Sequence, residues 1–339
     1  MELRPLGRTG VQVSKLCLGT MMFGAWGNAD HEDSVRIIHR ALDAGVNFID
    51  SADVYSAGES EEIVGKALAG GRRDEVVLAT KFWGSMGDGP NRGGASRRWI
   101  FEEVEHSLRR LGTDWIDLYQ LHRPVPGTDI DETIGALTDL VQQGKVRYIG
   151  SSSFSGAEIV EAQWTARERN LQRFRTEQPP YSVLVRGIEV DVLPVAQRHG
   201  MGILTYSPLA GGWLSGRWSA DATPTSPARK RLAARFDMSL AENQRKLEAV
   251  QALGEVAEDA GLSLIELAIA FVVNHPAVTS AIIGPSTMEQ LDSQLPAADV
   301  TLSPEQLDRI DEIVRPGVNL NVADTSYGDQ ALTPGLRRR

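Results

Sequence analysis

The feature that most constrains this chain is a recurring alternation of two periods. Short apolar runs stand at residues 15–19, 46–50, 76–81, 116–122, 146–150, 174–178, 202–206 and 279–283. Most are followed by a stretch with helical spacing, at about 33–44, 59–68, through Val104 and Leu108, 130–143, 156–169, 190–198 and, after the last run, near 286–295 and 304–315. The runs are mostly apolar, as expected of strands covered on both faces. Eight such units without a long polar linker predict an α/β protein of the closed parallel kind, a (β/α)8 TIM barrel, rather than an open sheet.

A turn signal, Gly7-Arg8-Thr9-Gly10, sits between Leu3–Leu6 and Val11–Val13, and predicts an N-terminal β-hairpin. Residues 1–339 are expected to form a single barrel domain. The polar stretch 211–241, rich in Arg, Ser and Pro, interrupts the seventh repeat and reads as an excursion over the active face. The irregular 316–339 reads as a C-terminal extension.

Composition narrows the function. The chain is 42% hydrophobic and 24% charged, ordinary for a water-soluble domain. A formal charge of −10 argues against nucleic acid or an anionic membrane as a partner. The one cysteine, Cys17, lies in an apolar run and reads as a small core residue. Without a second cysteine or zinc-like Cys/His spacing, a cytoplasmic protein with no metal is expected. No secretory leader and no bilayer-length apolar run are visible. A homo-oligomer is compatible with all of this.

In a parallel barrel, chemistry is done at the carboxyl ends of the strands. Strand two ends in Asp50, with Tyr55 in the loop beyond it; strand three ends in Lys81 and strand four in His122. A lysine ending a buried strand needs a carboxylate, and Asp50 on the neighbouring strand is within reach. A buried Lys81 favours the phenolate of Tyr55, which would make the phenol a better acid near neutral pH. Each residue taken alone is explained by a helix cap, an ion pair or a satisfied histidine. The convergence of all four on one rim argues for proton transfer. Trp26, Trp83, Trp213 and Trp218 fall in or near rim loops, where they line a pocket or pack loops onto the barrel. His31-Glu32-Asp33 reads as a loop and helix N-cap, and Gly87-Asp88-Gly89 lacks the spacing of a dinucleotide fingerprint.

Asp50-Ser51-Ala52-Asp53-Val54-Tyr55, Ala79-Thr80-Lys81 and Leu118-Tyr119-Gln120-Leu121-His122 resemble the signatures of the aldo-keto reductases. So do Gly19-Thr20-Met21, Ile149 to Phe154, Tyr206 to Leu209 and Ile283 to Thr287. The resemblance implies a barrel that binds a nicotinamide cofactor, NADPH with NADH as a second donor, and reduces small aldehydes or ketones to alcohols. It implies Tyr55 as general acid, tuned by Lys81 and Asp50, with His122 orienting the carbonyl. Gly19, Thr20, Met21 and Asp50 would border the cofactor. Ser152 and Gln178 would hold the carboxamide, and Tyr206 would stack on the nicotinamide. Ser207, Leu209, Gly211, Leu214, Gly216 and Arg217 would cradle the pyrophosphate; Gly284, Ser286, Thr287 and Gln290 would take the adenosine end.

Two positions depart from the pattern. Ser153 stands where the family usually has Asn, and Ser286 where it often has Arg or Lys, so NADPH preference rests there without a cation. Two other functions compete with carbonyl reduction. A nucleotide-sensing regulatory subunit, of the kind attached to potassium channels, would bind the cofactor without turnover; the intact set of Asp50, Tyr55, Lys81 and His122 argues against it. A glycosidase needs two facing carboxyls, and the strand ends offer only Asp50.

Overall fold

The computed structural model of the protein describes residues 1–218 and 232–325. Residues 219–231 of the expected excursion and 326–339 of the expected extension lie outside the described residues.

Strands β1 (Leu3–Pro5) and β2 (Gln12–Ser14) form the expected antiparallel hairpin. The chain then alternates β3 (Leu16–Gly19), α1 (His31–Asp43), β4 (Phe48–Asp50), α2 (Glu59–Leu68), β5 (Val77–Phe82), α3 (Arg97–Leu111), β6 (Ile116–Leu121), α4 (Ile130–Gln142), β7 (Val146–Ser152), α5 (Gly156–Glu168), β8 (Thr176–Gln178), α6 (Val192–His199) and β9 (Gly202–Thr205). After the seventh strand of the barrel come α7 (Ala241–Asp259) and α8 (Leu264–Val273), then β10 (Ser280–Ile283), α9 (Met288–Gln294) and α10 (Pro304–Ile313). Strands β3 to β10 are parallel and close on themselves, β10 pairing with both β3 and β9. This is the (β/α)8 barrel expected from the repeat.

Differences from the sequence reading are local. The sixth barrel strand starts at Thr176; Phe174 packs instead, buried, against Phe154. Asp30, not the His31–Asp33 triplet, caps α1, its carboxylate accepting from the Asp33 amide at 3.0 Å. The unforeseen pair α7 and α8 fills the space between the excursion and β10.

Strand period explains how the interior is built. On β4, β5 and β6 the inward residues run Phe48 then Asp50, Ala79 then Lys81, Leu118 then Gln120 and His122. The interior is therefore apolar at its amino end and polar at its carboxyl end. The hairpin closes the apolar end: Leu6 and Val13 pack with Cys17, Phe48, Ala79, Leu118, Leu204 and Ile282. Cys17 is buried there, as expected of a core residue. A second, larger core lies between strands and helices, with Leu16, Leu18, Ile49, Leu78 and Tyr119 on the outward positions.

Helix packing on the barrel is close where small residues allow it. A Cβ added at Gly65 in α2 would lie 2.6 Å from the Arg110 carbonyl oxygen of α3, whereas one at Gly135 in α4 meets nothing within 4 Å. Gly65→Ala therefore forces apart two helix backbones and should lower stability by about 1–3 kcal/mol. Gly135→Ala should raise it by roughly 0.5–1 kcal/mol through helix propensity alone. Thermal melts of the two variants should shift in opposite directions.

Candidate active site

The polar end of the interior is organised on Lys81. Its ammonium is fully buried and donates to Asp50 Oδ2 at 2.5 Å, to the Ser51 carbonyl at 2.6 Å and to Tyr55 Oη at 3.2 Å. The other oxygen of Asp50 accepts from Gln120 Nε2 at 3.1 Å and Gln178 Nε2 at 2.9 Å. Both charges are thus paired and hydrogen-bonded, which a buried ion pair needs to be tolerated. Burial pulls the Lys81 pKa down, but the charges and hydrogen bonds of Asp50 and Tyr55 outweigh it, and the net shift is upward. Lys81 is a cation at neutral pH.

The effect on Tyr55 differs from the expectation. Burial pushes its phenol up; Lys81 pulls it down, Asp50 pushes it up again, and the net shift is upward. The hydroxyl is neutral at neutral pH, because desolvation of the phenolate exceeds what one paired cation returns. His122 is also buried and neutral: burial, then Lys81 and Arg123, drive its pKa well below the ordinary range. Its Nδ1 is buried without a partner among the described residues, and its ring meets that of Tyr55 edge-on at 5.8 Å between centroids.

The remaining predicted residues lie at or just beyond the carboxyl ends of the other barrel strands. Gly19 and Thr20 lie beside Asp50, the Thr20 amide donating to the Asp50 carbonyl at 3.0 Å, while Met21 is exposed. Ser152 and Gln178 are paired across β7 and β8, and the Ser152 hydroxyl donates to the Gln178 carbonyl at 2.9 Å. Ser207 to Gly216 follow β9 as a tight turn with left-handed backbone at Ser207 (φ 59°), Ala210 (φ 49°), Gly211 and Gly212. In it Leu214 is fully buried and its amide is taken by the Leu209 carbonyl, while Arg217 is exposed. Gly284, Ser286, Thr287 and Gln290 follow β10; the Ser286 amide and hydroxyl both donate to Gln290 Oε1, and Thr287 caps α9.

The tryptophans divide. Trp26 and Trp83 are exposed, and Trp26 faces the Tyr55 ring at 6.1 Å. Trp213 is buried and stacks on Trp218 at 4.0 Å, with Phe236 beside them, so this pair packs the loop after β9.

Sequence reasoning missed three participants. Gln120 was signalled by its place between inward Leu118 and His122. Arg123 adjoins His122 at the rim, and its Nη1 donates to Ser153 Oγ at 2.7 Å. Glu177 carries the loop after β7: its carboxylate accepts from Ser151 Oγ at 2.5 Å and from the Phe154 amide at 3.0 Å. No local pattern distinguishes either of these last two.

These elements define a barrel with an acid–lysine–phenol–imidazole cluster at its carboxyl rim. Residues 15–315 match the aldo/keto reductase family. The uncharacterized oxidoreductase YrpG of Bacillus subtilis is 41% identical over 92% of this chain and 96% of its own length. A probable voltage-gated potassium channel subunit beta of Arabidopsis thaliana is 37% identical over 93% of this chain and 97% of its own. Versiconal hemiacetal acetate reductase of Aspergillus parasiticus is 32% identical over 92% and 96%. The chain belongs to the aldo/keto reductase family and is an NAD(P)H-dependent oxidoreductase of carbonyl compounds. No helix among the described residues is long and apolar enough to cross a membrane.

Glu177 yields a pH-dependent test of the support beneath Ser152 and Ser153. Burial, opposed by its hydrogen bonds to Ser151, Phe154 and Ser153, pushes its pKa from 4.5 up to about 8. Between those values the folded chain holds a proton that the unfolded chain has released, so rising pH favours unfolding. Glu177→Gln removes this titration. The difference in Tm, variant minus wild type, should grow in the variant's favour as pH rises from 5 to 8; a constant difference would mean that Glu177 does not hold its proton in the folded chain.

Proposed function

We propose that the protein is an NADPH-preferring reductase of aldehydes or ketones in which Tyr55 is the general acid. One observation carries this reading: a fully buried ammonium, held by Asp50 and the Ser51 carbonyl, stands 3.2 Å from the Tyr55 hydroxyl.

The residues present fit a nicotinamide dinucleotide. Ser152 and Gln178 adjoin each other, and Gln178 Oε1 accepts nothing among the described residues while its amide nitrogen is held by Asp50 and Gln120. Left-handed backbone after Tyr206 is the material from which N–H concavities for phosphates are made. The strained non-glycine conformations at Ser56, Ser153, Ser207 and Ala210 all follow closely on proposed site residues, which is where such strain is kept for function. When bound, the reduced nicotinamide supplies the hydride.

The protein's own work is then positional and electrostatic. Neutral His122 offers a ring N–H to the carbonyl oxygen, fixing its direction. The neutral Tyr55 hydroxyl gives its proton to that oxygen as charge develops on it. Lys81, which donates directly to the Tyr55 oxygen, stabilises the phenolate left behind. Asp50 keeps Lys81 protonated and aimed. Trp26 and Trp83 offer exposed apolar surface at the mouth.

Likeness to the named channel β subunits motivates a second reading, a nucleotide-responsive regulatory subunit. It predicts cofactor binding with negligible turnover on any aldehyde.

Tyr55→Phe removes the proton donor and keeps the ring. Hydride transfer in single turnovers should fall on the order of 10²-fold or more, with cofactor affinity little changed; undiminished transfer would remove Tyr55 from the chemistry. The cofactor preference is tested at Ser286, whose hydroxyl is engaged by Gln290. Ser286→Arg adds a charge-assisted pair of roughly 1.5–3 kcal/mol, which is about one to two decades of NADPH affinity. NADH affinity should barely move in a fluorescence titration. A wild type that already separates the two by several decades, unimproved by the change, would mean another cation makes that contact.

A further inference from the structure

Arg123 follows His122 where β6 opens onto the rim. Its side chain is half-buried. Nη1 donates to the His122 carbonyl at 2.9 Å and to Ser153 Oγ at 2.7 Å, and lies 3.5 Å from Ser152 Oγ. The guanidinium carbon stands 5.9 Å from the Tyr206 ring centroid, and Ser153 Oγ is also 3.2 Å from Tyr206 Oη. The cation is therefore fixed between the residues proposed to hold the nicotinamide and those proposed to hold the carbonyl.

What it lacks is a counter-ion. Several enclosed arginines have one: Arg73 pairs with Asp117, Arg110 with Glu61 and Glu103, and Arg186 with Glu189 and Asp311. Arg173, Arg175 and Arg235 are half-buried without a carboxylate partner among the described residues as well, but Arg173 and Arg175 precede β8, at the opposite end of that strand from Gln178, and Arg235 donates to the Ala323 carbonyl. Arg123 pairs with no carboxylate among the described residues. All its acceptors are neutral oxygens reached by one nitrogen, and Nε and Nη2 have none among the described residues. A guanidinium has five donors in a planar fork matched to a carboxylate. The nearby charges do not compensate it. Asp50 is neutralised by Lys81, and Tyr55 and His122 are uncharged, so Arg123 leaves the mouth one positive charge in excess. Its reach to the reacting groups is felt directly, since its charge pulls the pKa values of both Tyr55 and His122 downward.

We propose that Arg123 is a specificity-determining residue that makes the mouth of this site an anion subsite. The preferred substrate is then an oxo acid, a carbonyl compound bearing a carboxylate a few bonds from the reacting carbon, paired with Nε and Nη2. This rests on the carbonyl-reductase reading and adds the substrate class. A phosphate of the bound cofactor has the same chemistry, so the test separates the two sources.

Phenylglyoxylate and 4-carboxybenzaldehyde are each compared with their methyl esters, using wild type, Arg123→Met and Arg123→Lys. Wild type should prefer the acids in kcat/KM. Arg123→Met should lower kcat/KM for the acids by on the order of 10- to 100-fold more than for the esters, with Arg123→Lys between them. In parallel, binding of benzoate and of neutral benzamide to the cofactor-loaded protein is followed by tryptophan fluorescence; only benzoate should weaken in Arg123→Met. Equal losses for acids and esters, or benzoate binding untouched, would overturn the proposal. So would a loss confined to NADPH affinity, which would assign Arg123 to the cofactor phosphate. If wild type reduces neither acids nor esters, the carbonyl-reductase reading fails, and benzoate against benzamide still decides the subsite. Circular dichroism melts of the variants establish that they fold.

Discussion

The ion pair between Lys81 and Asp50 is the interaction on which the rest of the rim depends. Two buried charges this close to the barrel axis would each cost several kcal/mol if left alone. They are retained because the ammonium and both carboxylate oxygens are hydrogen-bonded. Lys81 donates to Asp50, the Ser51 carbonyl and Tyr55, while Gln120 and Gln178 occupy the second carboxylate oxygen. Four strands contribute to that shell, so it exists only once the barrel is closed.

A second buried network supports the first from behind. Asp53 donates its amide to the Lys81 carbonyl at 3.1 Å, tying the Tyr55 loop to β5. Its carboxyl is buried, and burial, Glu103 and Glu61 together push its pKa well above the usual range. Arg110 bridges Glu61 and Glu103 at 2.7 and 2.5 Å, and Thr80 donates to Glu61 at 2.6 Å. With several carboxyls sharing one guanidinium, a neutral Asp53 is the arrangement that avoids a stranded charge. The loop itself is anchored to the neighbouring turn, where the Ser56 hydroxyl donates to the Phe23 carbonyl and accepts from the Trp26 amide. Trp26 is thereby held beside Tyr55.

The far side of the rim is built differently. Stacked Trp213, Trp218 and Phe236 gather the turn after β9, and Lys246 lies over the Trp213 ring at 4.5 Å while pairing with Asp324 at 2.7 Å. Residues 322–324, at the start of the expected extension, are thus pinned to the start of α7 by a buried ion pair. Aromatic packing fixes the proposed cofactor side and hydrogen-bonded charge fixes the proposed acid side.

Much of this was legible in the residues themselves. Alternation along β4, β5 and β6 turns Phe48, Ala79 and Leu118 inward and so must turn Asp50, Lys81, Gln120 and His122 inward as well. The repeat of such strands with helical stretches determined the barrel, and with it the rim on which Tyr55 meets Lys81. Those are consequences of period, which is local. What the closed structure alone decided are quantities that depend on all neighbours at once. The Tyr55 phenol is raised rather than lowered because desolvation is set by the whole enclosure, while the pull of Lys81 is shared with Asp50. Glu177 and Arg123 differ from the chain's other acids and arginines only in what surrounds them. One is sealed beneath the loop after β7, and the other is left at the mouth without a counter-ion, because charge pairing is fixed by tertiary neighbours and not by order along the chain.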